Sequence, residues 1–159
     1  MPTLPIVINP SPILRKKAET IKNPLDAAIQ KLIPILTETM IQEDGIGIAA
    51  PQVGESIQMI IINHKDKPLV MINPKIIIKS IRTEIAEEGC LSVPGIFGMV
   101  KRSKKIKANA LDSTGKLFTI KAEGLLARVI QHEVDHLNGI LFIDKMVKKT
   151  RDPQDDNIL

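Results

Sequence analysis

The sequence predicts an α+β fold in which antiparallel β-sheets pack around one long central helix. Two pairs of strand-like segments are each joined by a short polar turn, at residues 64–67 and 113–115. A helical pattern of apolar residues occupies residues 125–137, and strand-like segments stand on both sides of it along the chain. Local strand pairs with a segregated helix are typical of α+β proteins with antiparallel pairing.

The N-terminal part of the chain predicts one short helix and one long helix. The chain begins with a proline-rich stretch, and the short helix is expected over about residues 12–18. Residues 25–43 carry apolar side chains near one face, with Asn23 as the N-cap and Pro24 as the first helical residue. Pro34 lacks the backbone donor that a helix interior needs, so we expect a kink or a split there.

A segment of small residues follows, with the sequence GIGIAAPQVG at residues 45–54. Three glycines and two alanines in ten residues are typical of a backbone that another group approaches closely. No lysine follows, and no strand-to-helix pattern frames the segment, so it is not a phosphate loop. The alternative interpretation is a tight connection between a helix and a strand.

The remaining elements are strands, turns and the central helix. Predicted strands cover, in chain order, residues 57–63, 68–73, 74–81, 104–112 and 116–121. Gly139 is suited to end the central helix as its C′ residue. Residues 140–146 are expected to form a short strand or extended segment, and the tail is expected to fray from about residue 148. No repeat or linker divides the chain, so we expect one domain over residues 1–159.

Composition limits the core and the partners. The 159 residues are 43% hydrophobic but only 2% aromatic, so the core must be built from Ile, Leu, Val and Met. The formal charge is +4, and the basic residues are scattered except at residues 101–105. No aromatic residue interleaves with that run to stack on bases, so a solvated strand or loop is the better interpretation. We therefore expect no specific nucleic-acid partner.

Cysteine use and hydropathy indicate the compartment. Cys90 is the only cysteine, so no internal disulfide forms, as is typical of a reducing compartment. The N-terminus lacks a charged region followed by an apolar region, and no apolar run approaches membrane-spanning length. We therefore expect a cytoplasmic protein without membrane contact.

The central helix carries the clearest chemistry, an H-E-x-x-H motif. His132 and His136 are four residues apart, so both imidazoles lie on one face and can reach one metal ion. Glu133 points about 100° around the helix, where it can reach a water on that ion more easily than the ion itself. The pattern is typical of two nitrogen ligands and a general base.

The motif alone does not decide between a catalytic helix and a structural one, because it arises by chance in about one chain in a few hundred. A lone carboxylate at position 133 borders the apolar core, which is costly unless its pKa rises or it takes part in a functional site.

A third stripe of the helix is polar and is expected to be its solvent-exposed edge, here called the wet edge, with Arg128, Gln131, Asp135 and Asn138.

A catalytic site of this kind usually has three protein ligands and one open position. No His, Glu or Cys follows His136, and Phe142 stands where the pattern H-x-x-G-x-x-H would place a ligand. Asp144 is the nearest acidic residue downstream. The third ligand is therefore expected upstream, where Cys90 and His64 are the candidates. A buried, inert cysteine is the common alternative for Cys90, but beside a histidine pair the sequence favours a thiolate ligand.

Three stretches resemble, in order and spacing, the signature motifs of the peptide deformylase family: GIGIAAPQ at residues 45–52, EGCLS at residues 88–92 and QHEVDH at residues 131–136. The stretch PILRKKA at residues 12–18 is similar to that family as well. The resemblance spans about residues 5–147 and implies antiparallel sheets around a central metal-binding helix. It also implies a hydrolase that removes the N-formyl group from the formyl-methionine of newly made polypeptides and releases formate.

The resemblance implies a role for each residue around the metal. The expected ligands of one divalent ion are Cys90, His132 and His136. Glu133 is expected to take a proton from the attacking water and to pass it to the leaving amine. Tetrahedral Cys/His₂ geometry alone suggests zinc, whereas the resemblance implies Fe²⁺ with Zn²⁺, Ni²⁺ or Co²⁺ able to substitute.

The resemblance also implies how the substrate is held. Gln52 and the backbone N–H of Leu91 are expected to donate to the oxyanion at the formyl carbon. The peptide main chain is expected to align as an added strand with Ile46, Gly47 and Gly89. The apolar pocket for the methionine side chain is expected near Ile46, Leu125 and Val129.

Residues behind and beside the site are expected to modify it. Arg102 is expected to support the site by pairing with Glu88, and Ala86 and Arg128 are expected to flank the pocket and alter its shape. The expected partners are N-formyl-Met nascent peptides and the ribosome surface. The short C-terminal end does not look like the long terminal helix of many family members, which argues against docking through such a helix.

Two other function classes stay open on the sequence alone. A zincin-like endopeptidase would share the helix but lacks its downstream ligand here. A non-catalytic basic binding domain, associated with the ribosome, would leave Glu133 unexplained. Formate release and internal peptide cleavage are the observations that distinguish these classes.

Overall fold

The computed structural model describes residues 2–154, which form two α-helices and eight β-strands. The helices are α1 (Ala27–Gln42) and α2 (Gly124–Leu137). The strands are β1 (Gly47–Ala49), β2 (Met59–His64), β3 (Lys67–Lys79), β4 (Thr83–Cys90), β5 (Val93–Ser103), β6 (Lys105–Leu111), β7 (Leu117–Glu123) and β8 (Met146–Arg151). Short 3₁₀ turns lie at Pro12–Arg15, Ala50–Val53 and Phe142–Asp144. Within residues 2–154, no helix is long and apolar enough to cross a membrane.

The strands form two antiparallel sheets. The larger sheet has the order β1-β2-β3-β6-β7, and the smaller has the order β4-β5-β8. The turn between β2 and β3 has positive φ at Lys65 (53°) and Asp66 (58°), as a type I′ hairpin turn requires. The predicted α+β class with antiparallel pairing is confirmed.

The two helices cover opposite faces of the larger sheet. Side chains alternate between faces along a strand, so Ile60 and Ile62 of β2 join the core under α2, whereas Met59 and Ile61 join the core under α1. Each such fully buried side chain contributes roughly 1.5–3 kcal/mol relative to exposure. β2 is therefore an apolar run because both of its faces are buried.

The first helix differs from its prediction at two points. Asp26, and not Asn23, is the N-cap, and its side chain accepts a hydrogen bond from the Ala28 N–H at 2.9 Å. The predicted split at Pro34 is wrong, because α1 is continuous through it. Ile33 and Leu36, on either side of the proline, pack in the same core against the sheet, which supports a continuous helix.

The two strands predicted over residues 68–73 and 74–81 are one strand, β3. Asn73 has a φ of 49°, and the pairing register with β6 shifts between residues 72 and 75. The Asn73 side chain accepts from the Ile21 N–H and donates to the Ile21 carbonyl, both at 2.9 Å. The Asn-Pro pair thus marks a bulge inside a strand.

The long hairpin of β4 and β5 is absent from the sequence-based prediction. Its strands are rich in charged residues and glycine, which weakens the alternating pattern. The basic run at residues 101–105 was expected to be solvated, but Arg102 is only 4% exposed. The reason is an ion pair with an acidic residue of β4, described below.

Residues 146–151 are more ordered than predicted. Residues 140–146 contain a 3₁₀ turn at Phe142–Asp144 where a short strand or extended segment was expected. The expected fraying from about residue 148 is wrong as far as Arg151, because β8 pairs along β5 from Met146 to Arg151. Residues 155–159, which complete the predicted tail, lie outside the described residues.

Candidate metal centre and substrate cavity

Helix α2 presents two histidines one turn apart beside the sheet. The ring centroids of His132 and His136 are 5.1 Å apart, with the rings edge to face at 66°. The helix ends as predicted, with Gly139 at a φ of 72° directly after the C-cap. The predicted common face for the two imidazoles is therefore confirmed.

Cys90 completes a group of three possible ligands. It lies at the end of β4, and its Sγ is 3.3 Å from His136 Nε2. One ligand atom each from Cys90, His132 and His136 lie within 4.8 Å of one another, and no other such group occurs in the described part of the chain. The alternative candidate His64 ends β2 away from this group, and Asp144 forms an ion pair with Arg15.

The group fits a metal that accepts nitrogen and sulfur ligands. Burial lowers the pKa of His132, but hydrogen bonds with Cys90 and Glu88 and the charge of Glu133 outweigh it and raise the pKa to about 10. The negative groups around His132 thus stabilise positive charge at this position. For His136, burial and then the charges of His132 and Arg102 hold the pKa well below its usual range, so its imidazole is neutral with a lone pair available.

Glu88 orients His132 from behind. Its Oε1 lies 2.7 Å from His132 Nδ1, so the other ring nitrogen, Nε2, is the one that can bind a metal ion. The Arg102 guanidinium donates to both oxygens of Glu88 at 3.0 Å, so the expected supporting pair is confirmed. Burial raises the pKa of Glu88, but the hydrogen bonds with His132 and Arg102 outweigh it and hold the pKa well below its usual range. Glu88 is therefore an anion behind the histidine.

Residues that the sequence interpretation placed at the wet edge of α2 are part of this ionic network. Arg128 donates to Glu88 at 2.7 Å, and Asp135 accepts from Arg102 and from Lys145. Gln131 pairs with both backbone groups of Ser103 on β5. Of the predicted wet edge only Asn138 is exposed. The sequence signal for this network was Arg102 in the basic run at residues 101–105, because an arginine that is buried needs an anionic partner.

Glu133 lies beside the metal group with an unused carboxylate oxygen. It is 4% exposed, and its Oε2 has no hydrogen-bond partner among the described residues. Burial is the main cause that raises its pKa to about 7. The backbone of β1 passes close to it, since a Cβ on Gly47 would lie 2.6 Å from Glu133 Oε1. Only glycine fits at residue 47 without a shift of Glu133 or Val129.

Gln52 faces the same group from the 3₁₀ turn after β1. Its Oε1 accepts from the Ala49 N–H at 2.9 Å, which fixes the amide orientation. Its Nε2 then points to Ser92 Oγ at 3.2 Å and Cys90 Sγ at 3.6 Å. Leu91 follows Cys90 in the turn between β4 and β5. A donor is therefore held next to the metal group.

A cavity of about 520 Å³ opens from this group to solvent. Glu133, Gln52 and Leu91 line it together with Cys90 and His132, whereas the buried His136 is not part of the lining. The residues expected to bind substrate all line it: Ile46, Gly47, Gly89, Leu125 and Val129. Of the two residues expected to flank the pocket, Arg128 lines the cavity and Ala86 does not. The structure therefore brings the three candidate ligands and the residues predicted to act on the substrate close together, whereas Ala86 lies outside the cavity lining.

The fold and this site define a class, the hydrolases with an H-E-x-x-H helix, here with a cysteine in place of a downstream ligand. Comparison with known proteins narrows the class. The family model described as polypeptide deformylase matches residues 3–152, so the chain belongs to the polypeptide deformylase family. The activity predicted from the sequence, deformylation of polypeptides, is the activity of this family.

Individual relatives agree with this assignment. Peptide deformylase of Dictyoglomus thermophilum is 47% identical over 139 residues, which cover 87% of this chain and 90% of the relative. The crystal structure of peptide deformylase from Thermotoga maritima superposes with a TM-score of 0.89 at 42% identity, over 92% of this chain and 99% of that one. A Met-Ala-Ser-bound class I type b peptide deformylase from Acinetobacter baumannii superposes with a TM-score of 0.85 at 36% identity, over 91% and 98% of the chains.

Proposed function

We propose that the chain deformylates the formyl-methionine of nascent polypeptides with one divalent metal ion held by Cys90, His132 and His136. The observation that carries the proposal is the position of these three ligand atoms, within 4.8 Å of one another, beside the unpartnered carboxylate oxygen of Glu133. Cys and His side chains in this number leave one open position in a four-coordinate site. We extend the proposal to the whole chain of 159 residues as one catalytic domain.

The chemistry that a divalent ion supplies at such a site is polarisation of the formyl carbonyl and a lowered pKa of water at the open position. Glu133 takes the proton of the attacking water and gives it to the amine that leaves with the peptide. A carboxyl with a pKa of about 7 is suited to both transfers near neutral pH, because neither direction is strongly uphill.

Two donors stabilise the negative charge that develops on the formyl oxygen. The Gln52 amide is one, since its own oxygen is already occupied by the Ala49 N–H and its Nε2 faces Cys90 Sγ and Ser92 Oγ. The backbone N–H of Leu91, in the turn that follows Cys90, is the other. Donors fixed before the reaction cost no reorganisation in the transition state.

The substrate peptide lies in the cavity with its main chain beside β1 and the end of β4. Ile46, Gly47 and Gly89 provide backbone on the two sides, in the manner of an added strand. The methionine side chain enters the apolar part formed with Leu125 and Val129. The Acinetobacter baumannii relative with bound Met-Ala-Ser supports a peptide with N-terminal methionine as the ligand of this cavity.

For the metal we propose Fe²⁺ as the native ion, with Zn²⁺, Ni²⁺ or Co²⁺ as functional substitutes. The donor set of one sulfur and two nitrogens accepts each of them, and the family resemblance favours iron. We further propose a cytoplasmic location and N-formyl-Met nascent peptides at the ribosome surface as the partner. The single cysteine and the family activity support this.

The test is metal analysis of anaerobically purified protein, paired with formate release from formyl-Met-Ala-Ser. The wild-type protein should hold about one divalent ion per chain and release formate. Cys90→Ala should lose most of the metal and the activity, because two ligands hold an ion far less tightly than three. Full metal occupancy in Cys90→Ala would remove Cys90 from the ligand set.

A further inference from the structure

The C-terminal strand lies against the outside of the cavity wall. β8 runs antiparallel to β5, with Phe97 opposite Arg151 and Val100 opposite Met146. β5 in turn pairs with β4, which carries Glu87, Glu88 and Cys90. Strand β8 therefore belongs to the same sheet that supplies one wall of the substrate cavity.

Three side chains of residues 150–153 contact this wall directly. Thr150 Oγ1 donates to Glu87 Oε2 at 2.6 Å, and the Arg151 guanidinium carbon is 5.9 Å from the centroid of the Phe97 ring. Pro153 packs on Gly95, where a Cβ would lie 2.4 Å from Pro153 Cγ. The three residues so contacted, Glu87, Gly95 and Phe97, all line the cavity.

The part of the wall that Thr150, Arg151 and Pro153 contact lies next to the residues around Cys90. Glu87 precedes Cys90 by three residues, and the Phe97 ring packs against Gly89, with Cε1 2.5 Å from the position of a Gly89 Cβ. Gly89 borders the main chain of the formylated residue in the proposed substrate position. The wall that Thr150, Arg151 and Pro153 support therefore faces the peptide residues that follow the methionine.

We propose that residues 150–153 are a positioning element that holds this wall for the downstream residues of the substrate. The inference rests on the proposed function, because it assumes that the peptide lies in this cavity. Thr150, Arg151 and Pro153 touch no reacting atom, so their loss weakens binding of longer peptides without changing the chemical step. Such a loss raises KM and leaves kcat unchanged, because ground state and transition state lose the same contacts.

The experiment compares two substrates, formyl-Met-Ala-Ser and formyl-methionine amide, in the triple variant Thr150→Val, Arg151→Ala, Pro153→Ala. The KM for the tripeptide should rise about tenfold, while kcat and the constants for the single-residue amide stay within about twofold. The control is Val147→Ala, a truncation on the same strand at a side chain that is 60% exposed. It should leave both substrates unchanged.

Two results would overturn the inference: an unchanged KM for the tripeptide, or an equal loss for both substrates, which shows general damage to the fold. If the triple variant unfolds, as judged by its thermal midpoint, Thr150→Val alone is measured and judged by the same comparison. Failure of the proposed function is a different result, because the wild-type protein would then release no formate from either substrate.

Discussion

Glu133 shows how packing prepares a residue for chemistry. Its carboxylate is 4% exposed and lies against β1, and its Oε2 has no partner among residues 2–154. An unpaired buried carboxyl is normally costly, and here burial raises its pKa to about 7. The buried carboxylate that the sequence indicated at position 133 is therefore present, and the proposed proton-transfer role would account for its cost.

Removal of this carboxylate should abolish turnover and spare the metal. In Glu133→Ala the three ligand side chains remain, so the metal content should match that of the wild-type protein. The kcat should fall by at least about 10²–10⁴-fold, the usual contribution of general acid–base catalysis. Elemental analysis and formate release on the same preparation test this. Near-normal turnover in metal-replete Glu133→Ala would exclude the proton-transfer role.

Gln52 should contribute mainly to the transition state. Its amide is fixed by the Ala49 N–H and points to the Cys90 side, so Gln52→Leu removes one donor to the developing oxyanion. We expect kcat to fall roughly 10²–10³-fold with little change in KM. Gln42→Leu, the same change at the exposed end of α1, is the control and should leave kcat unchanged. If Gln52→Leu changes KM alone, Gln52 binds the ground state and the transition state equally and does not stabilise the oxyanion.

At the scale of single residues, the sequence was sufficient to predict a site residue wherever spacing along one helix or strand, or a family motif, decides its position. His132, Glu133 and His136 follow from helix geometry, and Cys90 and Gln52 follow from motifs shared with the family. Of the two acidic partners of Arg102, the sequence analysis predicted Glu88 but not Asp135. Their burial depends on β4 and β5 packing against α2, which no local pattern records.

At the scale of elements, Arg102 joins three pieces of structure. It lies on β5 and binds Glu88 of β4 and Asp135 of α2, each through a buried ion pair. β4 carries Cys90 and α2 carries both histidines. The arginine therefore fixes the helix to the hairpin and, with it, the separation of the three ligands.

Loss of this connection should be measurable as stability. Arg102→Met should lower the free energy of unfolding by about 3 kcal/mol, the lower end for a broken buried ion pair, because Glu88 keeps Arg128 and Asp135 keeps Lys145. Lys105→Ala, which breaks an exposed pair with Glu123, is the control and should cost less than about 1 kcal/mol. Urea unfolding of the metal-loaded proteins gives both values. If Arg102→Met lowers the free energy of unfolding no more than the control does, Arg102 does not hold α2 to the β4–β5 hairpin.

Element prediction failed where tertiary contacts override local signals. Asn73-Pro74 ended a predicted strand, but the Asn73 side chain bonds to the Ile21 backbone and the strand continues past the bulge. Pro34 did not split α1, because residues on both of its sides pack on the same sheet. The order of β8 likewise depends on pairing with β5, which the polar sequence of residues 146–151 does not indicate.

At the scale of the whole molecule, the cavity is assembled from distant parts of the chain. One wall comes from residues before β1, a second from β4 and β5, and the floor from α2. Near Cys90 the walls almost meet, since a Cβ on Gly45 would lie 3.1 Å from Leu91 Cδ1. The exposed side chains of Ile46 and Leu125 leave the other end open. In the proposed substrate position, the acyl end lies where the walls almost meet and the peptide lies toward the open end.

This asymmetry predicts which bond is cleaved, and one measurement tests it most directly: formate release from formyl-Met-Ala-Ser beside N-acetyl-Met-Ala-Ser, with mass spectrometry of the peptide products. The formyl peptide should release formate rapidly. The acetyl peptide should react about 10–200-fold more slowly, because one methyl must fit where hydrogen does. Internal bonds of an unfolded protein should survive long incubation. Cleavage at internal bonds without formate release would contradict the account and indicate an endopeptidase.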